Sequence, residues 1–244
     1  LVQFVHDSSN TLTGSFDVSL ADGGEDGAVP ATGTVTIGIN AVDDAPTLDT
    51  NTGATVAEGA TIGITTGELS GSDNDTASTA LVYTVTVAPV NGQLELTSGP
   101  GVAITSFTQD DLDNGLVVYV HDGSETTSDS FDFTLGDATT TLATDTFNLT
   151  VTPVNDGPQL TVTNPAVNIA EGGTQLIDNG ILAGSDSDDT ATGITYTASN
   201  ITNGQLEFVA APGVAITSFT QDDIDNNLVQ FVHDSSNTLT GSFD

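Results

Sequence analysis

An internal repeat is the feature that most restricts the fold of this chain. The segment Leu1–Asp17 recurs letter for letter as Leu228–Asp244, and a looser copy, LVVYVHDGSETTSDSFD, occupies Leu116–Asp132. The step from Leu116 to Leu228 gives a repeat of about 112 residues. A unit of this length is a normal size for one domain. We therefore predict that each repeat folds around its own core, rather than forming one turn of a solenoid.

The repeat also predicts the domain boundaries. DAP at Asp44–Pro46 corresponds to DGP at Asp156–Pro158, and we interpret both motifs as junctions between units. The sequence then predicts the end of one repeat at residues 1–43, a complete repeat at residues 44–155, and the beginning of a second at residues 156–244. Because both termini fall in the same element of the repeat, the sequence is interpreted as an excerpt from a longer array.

Alternating apolar residues and turn-forming clusters indicate an all-β fold. LVYTVTV at Leu81–Val87, LVVYVHD at Leu116–Asp122 and DTFNLTVTPV at Asp145–Val154 place apolar side chains at every second position, as in a strand with one buried face. Clusters of Gly, Pro, Asn and Asp separate these runs. The pattern predicts tandem all-β repeats of about seven strands, each a β-sandwich or a barrel, arranged end to end, with one capped helical turn at Phe107–Gly115.

The charge of the chain excludes several classes of partner. It contains 34 Asp and Glu residues and no Lys or Arg. It therefore offers no basic patch for a phosphate backbone, which excludes nucleic acid, and an anionic membrane would repel it. No apolar run approaches the roughly 18 residues that a membrane helix needs, so we predict no membrane insertion. Carboxylates that meet in the fold must be neutralised by metal ions, protons or dissolved salt.

The histidines are interpreted as structural residues. His6, His121 and His233 occupy the same position of the repeat, and Asp and Ser follow closely each time. A catalytic triad needs these residue types to converge in space around an oxyanion hole, which adjacency at a strand end does not provide. A glycosidase needs one pair of catalytic carboxylic acids, and no single pair stands out from the repeated carboxylates. The chain is therefore predicted not to be an enzyme.

The acidic residues are concentrated in a few turn motifs. These are AEG with Glu58, SDND with Asp73 and Asp75, HDGSE with Asp122 and Glu125, a strand end at Asp137, and VNDGP with Asn155 and Asp156. The second unit repeats the pattern with Glu171, Asp186, Asp188 and Asp234, and the first fragment supplies Asp7, Asp22, Asp43 and Asp44. All of them offer oxygen ligands, some spaced by two along extended chain, which suits calcium. For any single residue, a solvated turn is the alternative.

The order of these motifs resembles that of cadherin repeats. AEG resembles the PEN-type glutamate, SDNDTASTALVYTV the DxD segment and its strand, NGQLEL the G-x-L strand, HDGSETTSDSFDFTLGD the LDRE motif and its strand, and VNDGP the NDN-x-P linker. The form FTQDDLDNGLVVYVHDGSE resembles the chondroitin sulfate proteoglycan type of cadherin-like repeat, common in giant bacterial surface proteins. HDGSE departs from the cadherin pattern by lacking the basic residue of LDRE, and the second unit has Asn237 in place of the glutamate.

This resemblance implies an all-β fold of tandem cadherin-like (Ig-like) β-sandwich repeats arranged end to end, with calcium ions at the junctions between them. One junction would combine Glu58, Asp122, Glu125, Asn155 and Asp156 with Asp186 and Asp188; the junction before it would combine Asp7, Asp43 and Asp44 with Asp73, Asp75 and Asp137. The implied function is a calcium-stiffened stalk of a giant extracellular adhesin or surface fibre. Its partners would be neighbouring repeats and other cell-surface or matrix components. Two alternatives stay open, a filament whose subunits join head to tail and an adhesive module for glycans or matrix proteins.

Overall fold

The alternating segments form β-strands that assemble into two units, Leu1–Pro153 and Val154–Asp244. The computed structural model describes residues 1–23, 27, 29–163, 167–238 and 240–244. In the described part of both units the regular secondary structure is almost entirely β-strand, with one short helix in each, and the predicted all-β fold is confirmed. Residues 1–43 fall in the same unit as the repeat that follows them.

The strands of the first unit follow one another closely along the chain. They are β1 (Thr13–Leu20), β2 (Ala31–Gly38), β3 (Thr47–Asn51), β4 (Ala54–Ala57), β5 (Thr61–Gly63), β6 (Leu69–Ser72), β7 (Val82–Val87), β8 (Gly92–Leu96), β9 (Ser106–Thr108), β10 (Val117–His121), β11 (Ser128–Gly136) and β12 (Asp145–Thr152), with helix α1 at Gln109–Asp113. From β3 to β12 the complete repeat has ten strands where the sequence indicated about seven. The additional strands β4, β5 and β9 have only three or four residues each.

The second unit repeats part of this order. Its strands are β13 (Gln159–Thr163), β14 (Thr174–Leu176), β15 (Leu182–Ser185), β16 (Thr195–Thr197), β17 (Gly204–Phe208), β18 (Ala215–Ile216), β19 (Ser218–Thr220) and β20 (Val229–His233), with helix α2 at Gln221–Asp225. Strands β14, β20, β17 and β18 form a four-stranded sheet, and β13–β15 and β16–β19 are separate pairs.

Two sheets of the complete repeat enclose one core. The larger sheet has the order β4-β12-β11-β7-β9, and the smaller has the order β5-β10-β8. All of these strand pairs are antiparallel except β4–β12, which is parallel. Alternate residues of β12 and β10, such as Phe147 and Tyr119, are buried between the sheets with Phe131 of β11. The strand period of two therefore produces the sandwich, because it places one face of each sheet against the other.

The short helix of the complete repeat begins with reciprocal capping bonds. Thr108 Oγ1 accepts the Asp111 N–H at 3.1 Å, and Asp111 Oδ2 accepts the Thr108 N–H at 2.8 Å. Gly115, just beyond the helix, has φ +64°, a conformation that glycine adopts without strain. The turn predicted at Phe107–Gly115 is thereby confirmed, and it recurs with Thr220 in the second unit.

A buried carboxylate on β8 fixes a neighbouring loop. Glu95 is 5% exposed; its two oxygens accept the Gln93 side-chain amide at 2.6 Å and the Gly101 N–H at 2.8 Å. These bonds, with that of Gln93 the stronger, hold the pKa of Glu95 below its ordinary value of 4.5. Ionised Glu95 therefore contributes stability above the ordinary carboxyl pKa, and this contribution is lost as the pH falls through the lowered value.

We expect the variant Glu95→Gln to lose less stability than the wild type on acidification below about pH 5. The reason is that the variant has no carboxylate to protonate at this position. Urea unfolding curves at a series of pH values would measure the difference. The same acid dependence in both proteins would show that the Glu95 bonds contribute nothing to folding.

Candidate metal centre

Three segments of the first unit bring predicted ligands together. The Asp44 N–H, ahead of β3, donates to Asp75 Oδ2, beyond β6, at 3.2 Å. The Thr139 hydroxyl, beyond β11, contacts Asp43 Oδ2 and lies 2.9 Å from Asp137 Oδ1. We call Asp43, Asp44, Asp73, Asp75 and Asp137 the first acidic cluster. These are acids that the sequence assigned to the first junction.

Asp73 and Asp137 each close a turn of the backbone with one carboxylate oxygen. Asp73 Oδ1 accepts the N–H groups of Asp75 and Thr76, both at 2.9 Å. In the same way, Asp137 Oδ1 accepts the N–H groups that follow it, including that of Thr140 at 2.6 Å. Such turns are why Asp is favoured beyond a strand end, and here they fix the direction of both carboxylates.

The second oxygen of each carboxylate has no protein partner. Among the described residues, Asp73 Oδ2 and Asp137 Oδ2 are the buried side-chain oxygens that accept no hydrogen bond. Leaving a buried polar atom unsatisfied costs about 1–3 kcal/mol, and more when the group is charged. A bound cation would remove this cost, because calcium takes six to eight oxygen ligands and prefers carboxylates. The residues present therefore fit a calcium ion.

The ionisation of the cluster also favours a cation. Backbone N–H groups, that of Asp75 foremost, hold the pKa of Asp73 below its usual range, and bonds from Thr140 and Thr139 do the same for Asp137. The pKa of Asp75 is raised, first by the adjacent Asp73 side chain and also by the negative charge of Asp73 and Asp43. Like charges therefore oppose full ionisation of the group. Since the chain has no Lys or Arg, a dissolved cation is the available counter-charge.

The second unit carries the same local arrangement. The Asp156 N–H donates to Asp188 Oδ2, as Asp44 does to Asp75. Asp186 Oδ1 accepts the N–H groups of Asp188 at 2.9 Å and Asp189 at 3.1 Å, as Asp73 does in the first unit. Asn155 turns its side-chain amide to the Asp156 carbonyl at 2.7 Å. The linker and the DxD segment are therefore joined in the same way in both units.

Other predicted ligands lie on two turns of the first unit. Glu58 and Glu125 offer carboxylate oxygens within 4.8 Å of each other. Asp122 Oδ1 accepts the Ser124 N–H at 2.9 Å, and bonds from Ser124, that of its hydroxyl the strongest, hold the pKa of Asp122 below its usual range. The expected approach of these three residues to Asp186 and Asp188, which belong to the other unit, stays a prediction.

The remaining predicted ligands make local bonds. Asp7 accepts the Ser9 hydroxyl at 2.7 Å within its own loop, whereas the side chain of Asn10 reaches the Asn74 carbonyl at 2.9 Å. Asp22 lies beyond β1 and is exposed. The loop of Asp7 therefore meets the SDND segment through Asn10, a contact that the sequence analysis did not predict.

In the second unit, the two remaining ligands stand on matching turns. Glu171 directly precedes Gly172, whose N–H donates to His233. Asp234 accepts the Ser236 N–H at 2.9 Å, and bonds from Ser236 hold its pKa below the usual range.

Sequence reasoning also missed Thr139 of the first unit, although its spacing of two from Asp137 is the pattern of a turn closed by a side chain.

Comparison with known proteins supplies a family for these features. A model of the cadherin-like family matches residues 46–151 and 158–244. The human extracellular matrix organizing protein FRAS1 is 36% identical over 208 residues, which are 81% of this chain and 5% of that protein. Human chondroitin sulfate proteoglycan 4 is 41% identical over 158 residues, 64% of this chain and 7% of that protein. The resemblance to cadherin-like repeats of the proteoglycan type is confirmed.

These comparisons also show how much of each relative this chain covers. It spans only about 5% to 7% of the length of these two relatives. Among solved structures, human CDH23 EC21-23 covers 91% of this chain and 65% of its own, with 15% identity and a TM-score of 0.45. In the described part of the chain, no helix has the length and apolar character needed to cross a membrane.

Proposed function

Because this chain belongs to the cadherin-like family, we propose that it is part of a stalk of β-sandwich repeats stiffened by calcium at the junctions. The chain is extracellular, as its matrix and cell-surface relatives are. The proposed setting is a giant adhesin or surface fibre of the bacterial kind. There the repeats would separate functional ends and would act as non-catalytic spacers, with neighbouring repeats and matrix components as partners.

The observation that supports calcium most strongly is the pair of buried oxygens in the first acidic cluster. Asp73 Oδ2 and Asp137 Oδ2 lack hydrogen-bond partners among the described residues, and the chain contains no basic side chain other than histidine. Two carboxylates about 4 Å apart repel by roughly 4 kcal/mol at an effective dielectric constant of 20. Bound calcium supplies the charge that removes this repulsion.

In the proposed mechanism, each β-sandwich is rigid and the junctions control the flexibility of the chain. Asp43 and Asp44 lie in the junction segment ahead of β3, whereas Asp73 and Asp137 follow β6 and β11 of the complete repeat, so these carboxylates would hold one ion where the junction segment meets the repeat. Extracellular calcium modules bind with Kd of about 10⁻⁴ to 10⁻³ M. At ten times Kd, each site contributes about 1.4 kcal/mol. Several sites together would therefore decide between a stiff rod and a loose chain.

We expect removal of calcium to change the shape of the chain. Small-angle X-ray scattering with millimolar calcium and with excess chelator would measure the maximum dimension and the radius of gyration. A defined dimension in calcium and a broader distribution after chelation are expected. The double variant Asp73→Asn/Asp137→Asn should shift the distribution in calcium part of the way toward that of the chelated wild type, whereas Asp145→Asn, at an exposed position outside the cluster, should not. An unchanged maximum dimension after chelation would contradict the proposal.

One observation favours a second candidate, association between copies of the chain. The β1–β2 hairpin leaves Phe16 45% and Leu20 75% exposed, whereas the corresponding Phe131 and Leu135 of β11 in the complete repeat are buried. The exposed apolar side chains of this hairpin offer a surface on which a second copy would pack. Sedimentation velocity over a concentration series tests this, and a monomer at every concentration would exclude it.

A further inference from the structure

His121 joins two acidic turns of the complete repeat through a single ring nitrogen. Its Nδ1 accepts the Gly59 N–H at 3.1 Å and the Gly123 N–H at 3.2 Å. Gly59 directly follows Glu58, and Gly123 directly follows Asp122. The ring is 3% exposed, so water competes little for these bonds. One atom therefore holds both backbone segments that carry predicted ligands.

The bonding pattern of the ring assigns its tautomer. Because Nδ1 accepts two N–H groups, it carries no proton, and the hydrogen of the neutral ring is on Nε2. Nε2 lies 3.1 Å from Thr126 Oγ1, which follows Glu125 on the same loop. The His121 N–H also donates to the Ala60 carbonyl at 3.0 Å. The ring is thus held by hydrogen bonds at both of its nitrogens.

The two turns have a backbone shape that suits this arrangement. Gly59 and Gly123 have φ of +64° and +82°, a region in which glycine is unstrained. A Cβ atom on Gly59 would lie 3.9 Å from the Gly123 Cα, so the turns are in direct contact. Glu58 and Glu125 consequently offer carboxylate oxygens within 4.8 Å of each other, a separation that calcium could bridge at its usual oxygen distances of 2.3–2.6 Å.

The same arrangement recurs at the equivalent position of the second unit. His233 Nδ1 accepts the Gly172 N–H at 3.2 Å and the Ser235 N–H at 3.1 Å. Asn237 takes the place of the glutamate there. In the first unit, therefore, the histidine with its two backbone hydrogen bonds lies near two glutamates, Glu58 and Glu125, whereas in the second it lies near Glu171 alone. The second unit thus provides an internal control.

We propose that His121 is a positioning residue, which holds the Glu58 turn and the Asp122–Glu125 loop at the separation that one cation needs. This inference rests on the proposed calcium binding. Repulsion between the carboxylates would otherwise drive the turns apart. The ring opposes this through two backbone hydrogen bonds and uses none of the carboxylate oxygens.

Two substitutions of His121 separate positioning from simple packing. His121→Asn keeps an acceptor at the place of Nδ1, whereas His121→Gln carries its amide one carbon further out. We expect His121→Gln to weaken calcium binding about 10-fold, the lower range for removing a group that orients metal ligands. His121→Asn should retain most of the affinity, and His233→Gln should leave binding at this site unchanged. Calcium titrations followed through the Gly59 and Gly123 amide signals in ¹H–¹⁵N spectra would report on this site alone.

The outcomes distinguish the inference from the proposed function. If the wild-type Gly59 and Gly123 signals do not respond to calcium, calcium binding at these turns is refuted and the inference with it. If they respond and His121→Gln binds as tightly as the wild type, only the inference is overturned. Should that variant not fold, hydrogen exchange of the same two amides in the wild type decides the matter. Slow exchange without calcium is expected, whereas fast exchange until calcium is added would mean that the ion, not His121, holds the turns.

Discussion

Replacement of Phe131 by alanine is expected to lower the free energy of unfolding of the complete repeat by about 3–5 kcal/mol. Phe131 is fully buried on β11. Its ring stacks on that of Phe147 with centroids 5.1 Å apart and lies 6.0 Å from that of Phe133. Alanine would remove these contacts and leave a cavity between the two sheets that the surrounding strands fill only in part.

The chain contains a matched control for this substitution. Phe16 occupies the position of Phe131 in the earlier copy of the segment, but it is 45% exposed on β1. Phe16→Ala should therefore cost about 1 kcal/mol or less, because much of its surface already contacts water. Urea unfolding followed by the ¹H–¹⁵N signals of the complete repeat would measure both variants. Equal losses would show that position in the repeat, and not burial, determines the contribution.

Replacement of Gln109 by leucine is expected to cost about 2–4 kcal/mol, the penalty for leaving two buried donors without an acceptor. Gln109 Oε1 accepts both the Gly71 N–H at 2.8 Å and the Tyr83 hydroxyl at 2.7 Å. Leucine has a similar volume but no acceptor, so the loss would report on hydrogen bonding rather than on packing. The bonds connect helix α1 to β6 and β7.

A surface glutamine provides the comparison for this second substitution. Gln3 is exposed, and Gln3→Leu should change stability by no more than about 0.5 kcal/mol. The parallel variant Gln221→Leu should destabilise the second unit, because Gln221 accepts the Gly184 N–H at 2.8 Å and the Tyr196 hydroxyl at 2.6 Å. Thermal or urea unfolding measures all three. A small loss for Gln109→Leu would mean that water replaces the missing acceptor.

Local patterns were sufficient to predict the longer strands and the capped turn, but not the short strands β4, β5 and β9. Alternation in LVVYVHD and DTFNLTVTPV depends on neighbouring residues only, as does the pairing of Thr108 with Asp111. The role of Gln109 could not be predicted in this way. Its partner Gly71 lies 38 residues earlier, and nothing in TQDDLDN indicates that the side chain turns inward.

The candidate site, too, could be predicted from local patterns only in part. The turns that hold Asp73 and Asp137 involve residues two or three positions ahead, so the acidic motifs were visible in the sequence. The convergence of these turns with Asp43 depends on how β3, β6 and β11 are arranged, and its prediction required a resemblance to a known family. The bond from Asn10 to Asn74 and the contact of Thr139 with Asp43 follow from that arrangement alone.

The repeated segment separates what the sequence determines from what only tertiary structure decides. Leu1–Asp17 and Leu228–Asp244 are identical, and the sequence by itself determined the repeat, the acidic turns and the histidine that bonds the N–H two residues ahead in both copies. Yet Phe4 is 45% exposed and Phe231 only 7%. Identical residues have the same local conformational preferences, but the burial of each side chain depends on the distant strands that pack against it. For Phe231 those strands lie elsewhere in the second unit, around a core that it shares with Leu206 and Ile177.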